Sequence, residues 1–237
     1  MNGFYAIAID GPSGAGKSSL ARRLAGMFQF IYVDTGAINR TVGLAAYRAG
    51  IDRRDEAAVA ALLPRIQITM GYNEAGEQRM YLDGEDVSAE IRLPEISICA
   101  SDVAALPAVR AYLLEMQRKM AQENHVIMDG RDIGTVVLPE AELKIFLTAS
   151  AQARARRRLL ELESKGVASS FEEVLQDIEY RDVQDSSRAA APLKAAEDAV
   201  LVDTSELDFE QSLALLAELV VTRLAPEGER ELSLIHI

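Results

Sequence analysis

The chain has 237 residues, 49% of them apolar and 26% charged, which is the composition of a folded chain with a sizeable core and excludes global disorder. Its 25 basic and 37 acidic residues give a net charge of -12, and this argues against a protein that coats a nucleic-acid polymer, because such binding needs a basic surface over the phosphates. One cysteine, Cys99, and two histidines, His125 and His236, exclude a disulfide framework or a thiolate metal cluster and leave little for a zinc site.

Residues 4–9 read FYAIAI, a short apolar run expected as a strand buried on both faces of a parallel sheet. A Gly-rich turn follows, and residues 17–29 carry helical spacing through Leu20, Leu24 and Met27. Strand, Gly-rich turn and helix together open a phosphate-binding α/β unit. A second apolar piece, 30–33, leads into helical patterns over 37–49 and 55–63. The stretch 66–91 changes character: alternation in IQITMGY, a turn at NEAGEQ and then RMYLDGEDV predict small antiparallel hairpins. The helical period returns over 93–122, with Pro94 and Pro107 near helix starts. Strands are expected at 126–128 and 143–147, helices at 151–165 and 171–184 around a flexible break at 166–170, then a strand at 200–202 and a helix at 208–224. Residues 226–237 read as a tail whose LSLIHI end is expected to be partly non-native. No apolar run reaches the roughly 18 residues of a membrane span, and no basic segment leads into an apolar signal core. A cytoplasmic protein with no membrane partner is expected.

Gly11 to Ser18 spell GPSGAGKS, a full match to G-x-x-x-x-G-K-[ST]. In that pattern glycines let successive backbone N–H groups face phosphate oxygens, and the helix that follows adds its positive end. Gly11, Pro12, Ser13, Gly14, Ala15, Gly16, Lys17, Ser18 and Ser19 are therefore expected to hold ATP, with Lys17 on the β- and γ-phosphates and Ser18 on Mg2+. Asp129, after an apolar strand, is the candidate carboxylate near the metal. Arg131 and Asp132 follow it at a strand's C-terminal end, where open α/β sheets bind ligands.

The basic residues are lopsided, 20 Arg against 5 Lys, and Arg is the side chain suited to bidentate phosphate recognition. Arg154, Arg156, Arg157 and Arg158 crowd five consecutive positions, and Arg181 and Arg188 flank Asp182 and Asp185. A solvated helix face would explain any one of them; a bound polyphosphate would relieve the repulsion of all. None of Asn2, Asn39, Asn73 and Asn124 is followed by Lys, so the Asn-Lys-x-Asp guanine reader is missing, and so is the LSGGQ loop of transport ATPases. A small-molecule kinase remains. Arginine clamps favour an acceptor that already carries an ionised phosphate over a hydroxyl that needs a base. Shikimate- or uridylate-type kinases are the nearest competitors, and a nucleotide sensor without transferase activity is the rival of a different class.

GPSGAGKS, VDTGAINR, EDVSAEIR, GRDIGTVVLPEAELKIFL and RDVQDSSRAAAPL, in that order, resemble the bacterial cytidylate kinase family from about Ala6 to Leu224. The resemblance implies an α/β P-loop kinase fold with a central parallel sheet flanked by helices, a monophosphate-binding insert with small antiparallel hairpins and a helical lid. It assigns a single domain over 1–225: core 1–34, 96–150 and 189–225, insert 35–95, lid 151–188. It implies ATP + CMP → ADP + CDP, with dCMP as second acceptor, Mg2+ as cofactor and a monomer. Position by position, Ser101, Arg110 and Asp132 would meet cytosine. Arg40, Arg131 and Arg188, with Thr35 and Gly36 beside them, would hold the acceptor, and Arg181 and Asp185 would sit near its ribose. Arg157 and Arg158 would lie over the ATP phosphates, and Lys17, Arg131, Arg188, Arg157 and Arg158 would be catalytic. Asn39 departs from the family, which usually has Tyr there. The seven arginines 40, 110, 131, 157, 158, 181 and 188 are expected to line one cleft.

Overall fold

The computed structural model describes residues 3–74, 77–164, 166–188 and 191–224; the expected tail at 226–237 lies outside them. In chain order the elements are β1 (Ala6–Asp10), α1 (Lys17–Phe28), β2 (Ile31–Asp34), α2 (Thr35–Arg48), α3 (Glu56–Leu62), β3 (Ile68–Tyr72), β4 (Gln78–Leu82), β5 (Glu85–Asp86), α4 (Pro94–Ala104), α5 (Pro107–Glu123), β6 (Val126–Gly130), β7 (Leu143–Thr148), α6 (Ala151–Ser164), α7 (Phe171–Ser186), β8 (Val200–Asp203) and α8 (Phe209–Leu224). They fall into two compact units, one built from the chain up to Ile31 and from His125 onward, the other from Tyr32–Asn124.

The first unit is organised by the parallel strands β6-β1-β7-β8. β1 runs parallel to β6, with Ala6 opposite Val126, and to β7, with Ile7 opposite Leu143; β7 runs parallel to β8. Ile7, Ala8 and Ile9 are fully buried, as a strand covered on both faces requires. Strand order reverses around β1, so its C-terminal end, where the Gly-rich turn begins, is the switch point at which open α/β sheets take ligands. β1 starts later than the FYAIAI run suggests. Phe4 and Tyr5 are partly exposed and instead surround His125, with ring centroids at 5.3 and 5.5 Å and Phe30 stacked at 5.2 Å. The Tyr5 N–H donates to His125 Nδ1 at 2.9 Å. This gives the histidine a packing role at the lip of the sheet.

α6 and α7 form a hairpin with a small core of its own, in which Ala155, Val174 and Ile178 are buried beneath Leu159, Leu162, Phe171 and Leu175. Ser169 and Ser170, expected in a flexible break, are used as helix caps. Ser170 Oγ accepts the Glu173 N–H, and Glu173 Oε2 accepts from the Ser170 N–H and Ser169 Oγ, which completes a capping box.

The second unit carries the antiparallel sheet β3-β4-β5, with Ile68 opposite Leu82 and Tyr81 opposite Asp86. Asp83 and Gly84, at φ 51° and 86°, make the β4–β5 connection a tight Asp-Gly hairpin turn. Beside it α2 and α4 pack backbone to backbone: a Cβ on Gly43 would lie 2.8 Å from the Ala100 nitrogen. No described helix is long and apolar enough to cross a membrane.

Candidate active site

The turn after β1 is shaped by glycine. Gly11 has φ 146°, and a Cβ there would stand 1.9 Å from the Leu147 carbonyl oxygen of β7, so no side chain fits at the point where the turn leaves the sheet. Gly16, at φ 90°, caps α1 without a side-chain bond, leaving the first N–H groups of the helix open to an anion. Lys17 is buried, with Nζ donating to the Pro12 carbonyl at 2.7 Å across the turn. Burial, followed by the nearby Arg131 charge, lowers its pKa from 10.5 to about 7. Ser18 Oγ donates to Asp129 Oδ2 at 2.9 Å. Ala15 is buried, while Gly14 and Ser19 are exposed.

β6 ends in Asp129 and Gly130, and the half-buried Arg131 and Asp132 come next. The chain then makes one wide helical turn of the i→i+5 type, Ile133–Val137, a form that recurs at functional sites. Asp10, buried at the end of β1, holds that turn: Oδ1 accepts the Ile133 N–H at 2.8 Å and Oδ2 the Gly134 N–H at 2.7 Å. Burial raises its pKa from 3.8 to about 6 against the opposing effect of these two bonds.

Asp185 gathers two of the expected arginines. Its Oδ2 accepts from Arg131 Nε at 2.6 Å and its Oδ1 from Arg188 Nη2, and the carboxylate is buried. Arg157, Arg158 and Arg181 do not join this group. Arg157 donates to the Thr204 hydroxyl and to the carbonyls of Thr204 and Leu207. Arg158 pairs with Glu161 and Arg181 with Asp177 on exposed faces of their own helices. The arginine that does reach the phosphate loop is Arg154, 4% exposed, which donates to the Ser13 carbonyl at 3.0 Å and grips both oxygens of Asp182.

In the second unit Asp34 caps α2, accepting the Ala37 N–H at 2.8 Å through Oδ1, and its Oδ2 holds Arg40 Nη2 at 3.0 Å. Arg40 Nε is buried without a partner among the described residues, a spare donor for an anion. Thr35 is buried in the first turn of α2, next to Gly36, and Asn39 Nδ2 donates to the Thr35 carbonyl at 3.0 Å. Ser101 is exposed on α4, and Arg110 is half-buried in the first turn of α5.

Sequence reasoning did not single out Asp10 or Arg154 as site residues. Arg154 carried no such signal, because Arg154 and Arg156 flank the apolar stripe of Ala151, Ala155, Leu159 and Leu162 on α6 to the same degree. Ser18 and Asp129 offer a hydroxyl and a carboxylate, hard oxygen donors of the kind Mg2+ takes. No cluster of three or more His, Cys, Asp or Glu suited to a metal occurs among the described residues.

A solved structure of an uncharacterized protein from Eubacterium ventriosum matches 92% of this chain and 99% of its own at a TM-score of 0.50 and 12% identity, a likeness of fold alone. Sequence relatives are nearer. A cytidylate kinase of Syntrophotalea carbinolica is 47% identical over 94% of both chains. One of Pelotomaculum thermopropionicum is 46% identical over 98% of this chain and 100% of its own. The family model for cytidylate kinase matches residues 7–222, and the chain therefore belongs to the cytidylate kinase family of P-loop phosphotransferases.

Proposed function

We propose that this enzyme transfers the γ-phosphoryl group of ATP to CMP or dCMP, releasing ADP with CDP or dCDP. The observation that carries the reading is the arrangement of Lys17, the Ser18–Asp129 pair and the Arg131–Asp185–Arg188 group in one unit. The Arg131 charge is near enough to Lys17 to depress its pKa. Such a site neutralises phosphates on two sides of a transferred group. The loop N–H groups and Lys17 hold the donor phosphates, while Arg131 and Arg188, fixed by Asp185, present donors to the acceptor phosphate. That phosphate has a second pKa of about 6, so its attacking oxygen is ionised at neutral pH and no general base is required. Positioning and charge stabilisation are what such a reaction asks of the protein. Ser18 and Asp129 would hold Mg2+, which when bound would neutralise negative charge on the phosphates.

In the same reading Thr35, Gly36 and Arg40 take the acceptor phosphate side, Ser101, Arg110 and Asp132 the base, and Arg181 and Asp185 the ribose side. Arg157 and Arg158 serve the donor phosphates, for which both would exchange their partners on Thr204, Leu207 and Glu161 for phosphate oxygens. Residues 35–95 and 151–188 act as the closing pieces, and the chain works as a cytoplasmic monomer on free nucleotides. The spare Arg40 donor supports the acceptor assignment.

The test is coupled ADP release with ATP and Mg2+ against CMP, dCMP, UMP, AMP and shikimate. CMP and dCMP should drive turnover well above the others. ADP release that is the same with and without CMP overturns the proposal and leaves a nucleotide sensor or hydrolase.

A further inference from the structure

Arg154 is the most deeply buried arginine of the α6 cluster, and all three of its guanidinium nitrogens donate. Nε donates to the Ala149 carbonyl at 2.8 Å, Nη1 to the Ser13 carbonyl at 3.0 Å and to Asp182 Oδ1 at 2.9 Å, and Nη2 to Asp182 Oδ2 at 2.6 Å. Four directed bonds from one planar group fix three pieces of chain: the phosphate loop at Ser13, the end of β7 through Ala149, and α7 through Asp182. The packing follows the same path. A Cβ on Gly14 would touch Arg154 Cβ at 3.3 Å and Ile178 Cδ1 of α7 at 3.7 Å, so the loop lies against the α6–α7 hairpin. Asp185, which holds Arg131 and Arg188, lies three residues beyond Asp182 on α7, one helical turn along.

We propose that Arg154 is a positioning residue: through Asp182 it sets the phosphate-loop main chain by the seating of α7, the helix that also carries Asp185. The inference rests on the kinase reading for its link to turnover, but not for its effect on ATP binding. The Ser13 carbonyl belongs to the loop whose N–H groups face the donor phosphates. A loop held at this point keeps those N–H groups pointed inward before ATP arrives, and its release leaves their ordering as a cost of binding. A lysine at 154 keeps the charge but has no planar fork, so it cannot hold Ser13 and both Asp182 oxygens together.

The experiment compares the wild-type chain with R154K, D182N and the double variant R154K/D182N. ATP affinity is read by titration calorimetry without acceptor, folding by thermal melts, and turnover by CMP-dependent ADP release. Expected is a tenfold or greater loss of ATP affinity in each single variant, with the double variant no worse than the weaker single, because both remove one shared linkage. The KM for ATP should rise by a similar factor in the folded variants. D182N weakens the anchor that fixes the Arg154 guanidinium against Ser13 while leaving the arginine itself in place, so it answers the question if R154K does not fold. ATP affinity within twofold of wild type in folded D182N, whatever its melting temperature, overturns the proposal, because a merely structural role lowers stability without moving affinity. Additive losses in the double variant overturn it as well. A wild-type enzyme that binds ATP but gives no CMP-dependent ADP defeats the functional reading alone.

Discussion

Asp185 Oδ2 accepts from Arg131 Nε at 2.6 Å while its other oxygen is taken by Arg188, so one buried carboxylate holds two guanidiniums that come from distant parts of the chain. Like charges brought together repel, and here the shared anion makes their proximity possible. Asp185→Asn keeps the shape and removes the anion. Breaking a buried pair costs about 3–5 kcal/mol, and the loss should appear mainly where the two arginines act together. CMP-dependent kcat/KM is expected to fall by about 10²–10³-fold with the fold retained by circular dichroism. A change of less than about threefold would show that the two arginines need no common anchor.

Arg131 should divide binding from turnover. Arg131→Ala removes a donor aimed at transferring charge, an interaction worth roughly 10²–10³ in kcat where it acts on a transition state. It also removes a positive charge that lowers the pKa of Lys17, which favours the ammonium that grips ATP. The expected result is a large fall in kcat with ATP affinity within about threefold of wild type. Equal losses in both, read by steady-state kinetics beside ATP titration, would make Arg131 a structural residue.

Lys17 gives a signed pH prediction. Its folded pKa of about 7 lies below the ordinary 10.5, so between these values the unfolded chain binds more protons than the folded one. Stability of the ligand-free protein should therefore rise with pH across that window. A polyphosphate favours the ammonium and draws the pKa back up. ATP binding at pH 7.5 should then take up roughly three-quarters of a proton, read from calorimetry in buffers of different ionisation enthalpy, and Lys17→Ala should abolish the uptake. Binding with no proton uptake in the wild-type protein would contradict the assignment.

The phosphate loop was legible from sequence because its signal is local: eight consecutive residues specify the turn, the lysine and the start of α1. The hairpins of β3–β5 were legible for the same reason, from the alternation of IQITMGY and RMYLDGEDV. Asp10 was not, because what defines it is two N–H groups of Ile133 and Gly134, more than 120 positions away. Arg154 was hidden among four arginines in five positions; burial alone separates it from Arg156, and burial follows from how α6 meets α7. The Ser169–Ser170 pair illustrates the reverse case, since small polar residues before a helix suit a loop and a capping box equally well.

Gly11 should tolerate no side chain. Gly11→Ala would place its Cβ 1.9 Å from the Leu147 oxygen, so the loop or β7 must move. Strain of this kind costs about 1–3 kcal/mol, or roughly 2–10 °C in Tm for a chain of this size, and ATP affinity should fall by more than tenfold as the loop N–H groups turn away. Gly26→Ala is the control. It lies exposed in α1 with nothing within 4 Å of an added Cβ, so Tm should hold or rise slightly. Similar losses in both variants would mean that α1, not the turn, is what glycine protects.

Asn39 stands where the resemblance to the family leads one to expect Tyr. Its side chain is half-buried on α2 and spends its amide on the Thr35 carbonyl at 3.0 Å, one residue before the Arg40 that Asp34 holds. Asn39→Tyr gives up that bond, but the Thr35 carbonyl lies in a helix that supplies its own N–H partner four residues on, so the fold should lose little. An aromatic ring in its place restores an apolar face for the acceptor nucleotide, worth about 0.5–1.5 kcal/mol by comparison with stacked aromatic pairs. The KM for CMP should drop by about two- to tenfold with kcat unchanged, because ground-state and transition-state binding gain alike. A KM that stays the same or rises would show that this α2 position does not touch the acceptor nucleotide.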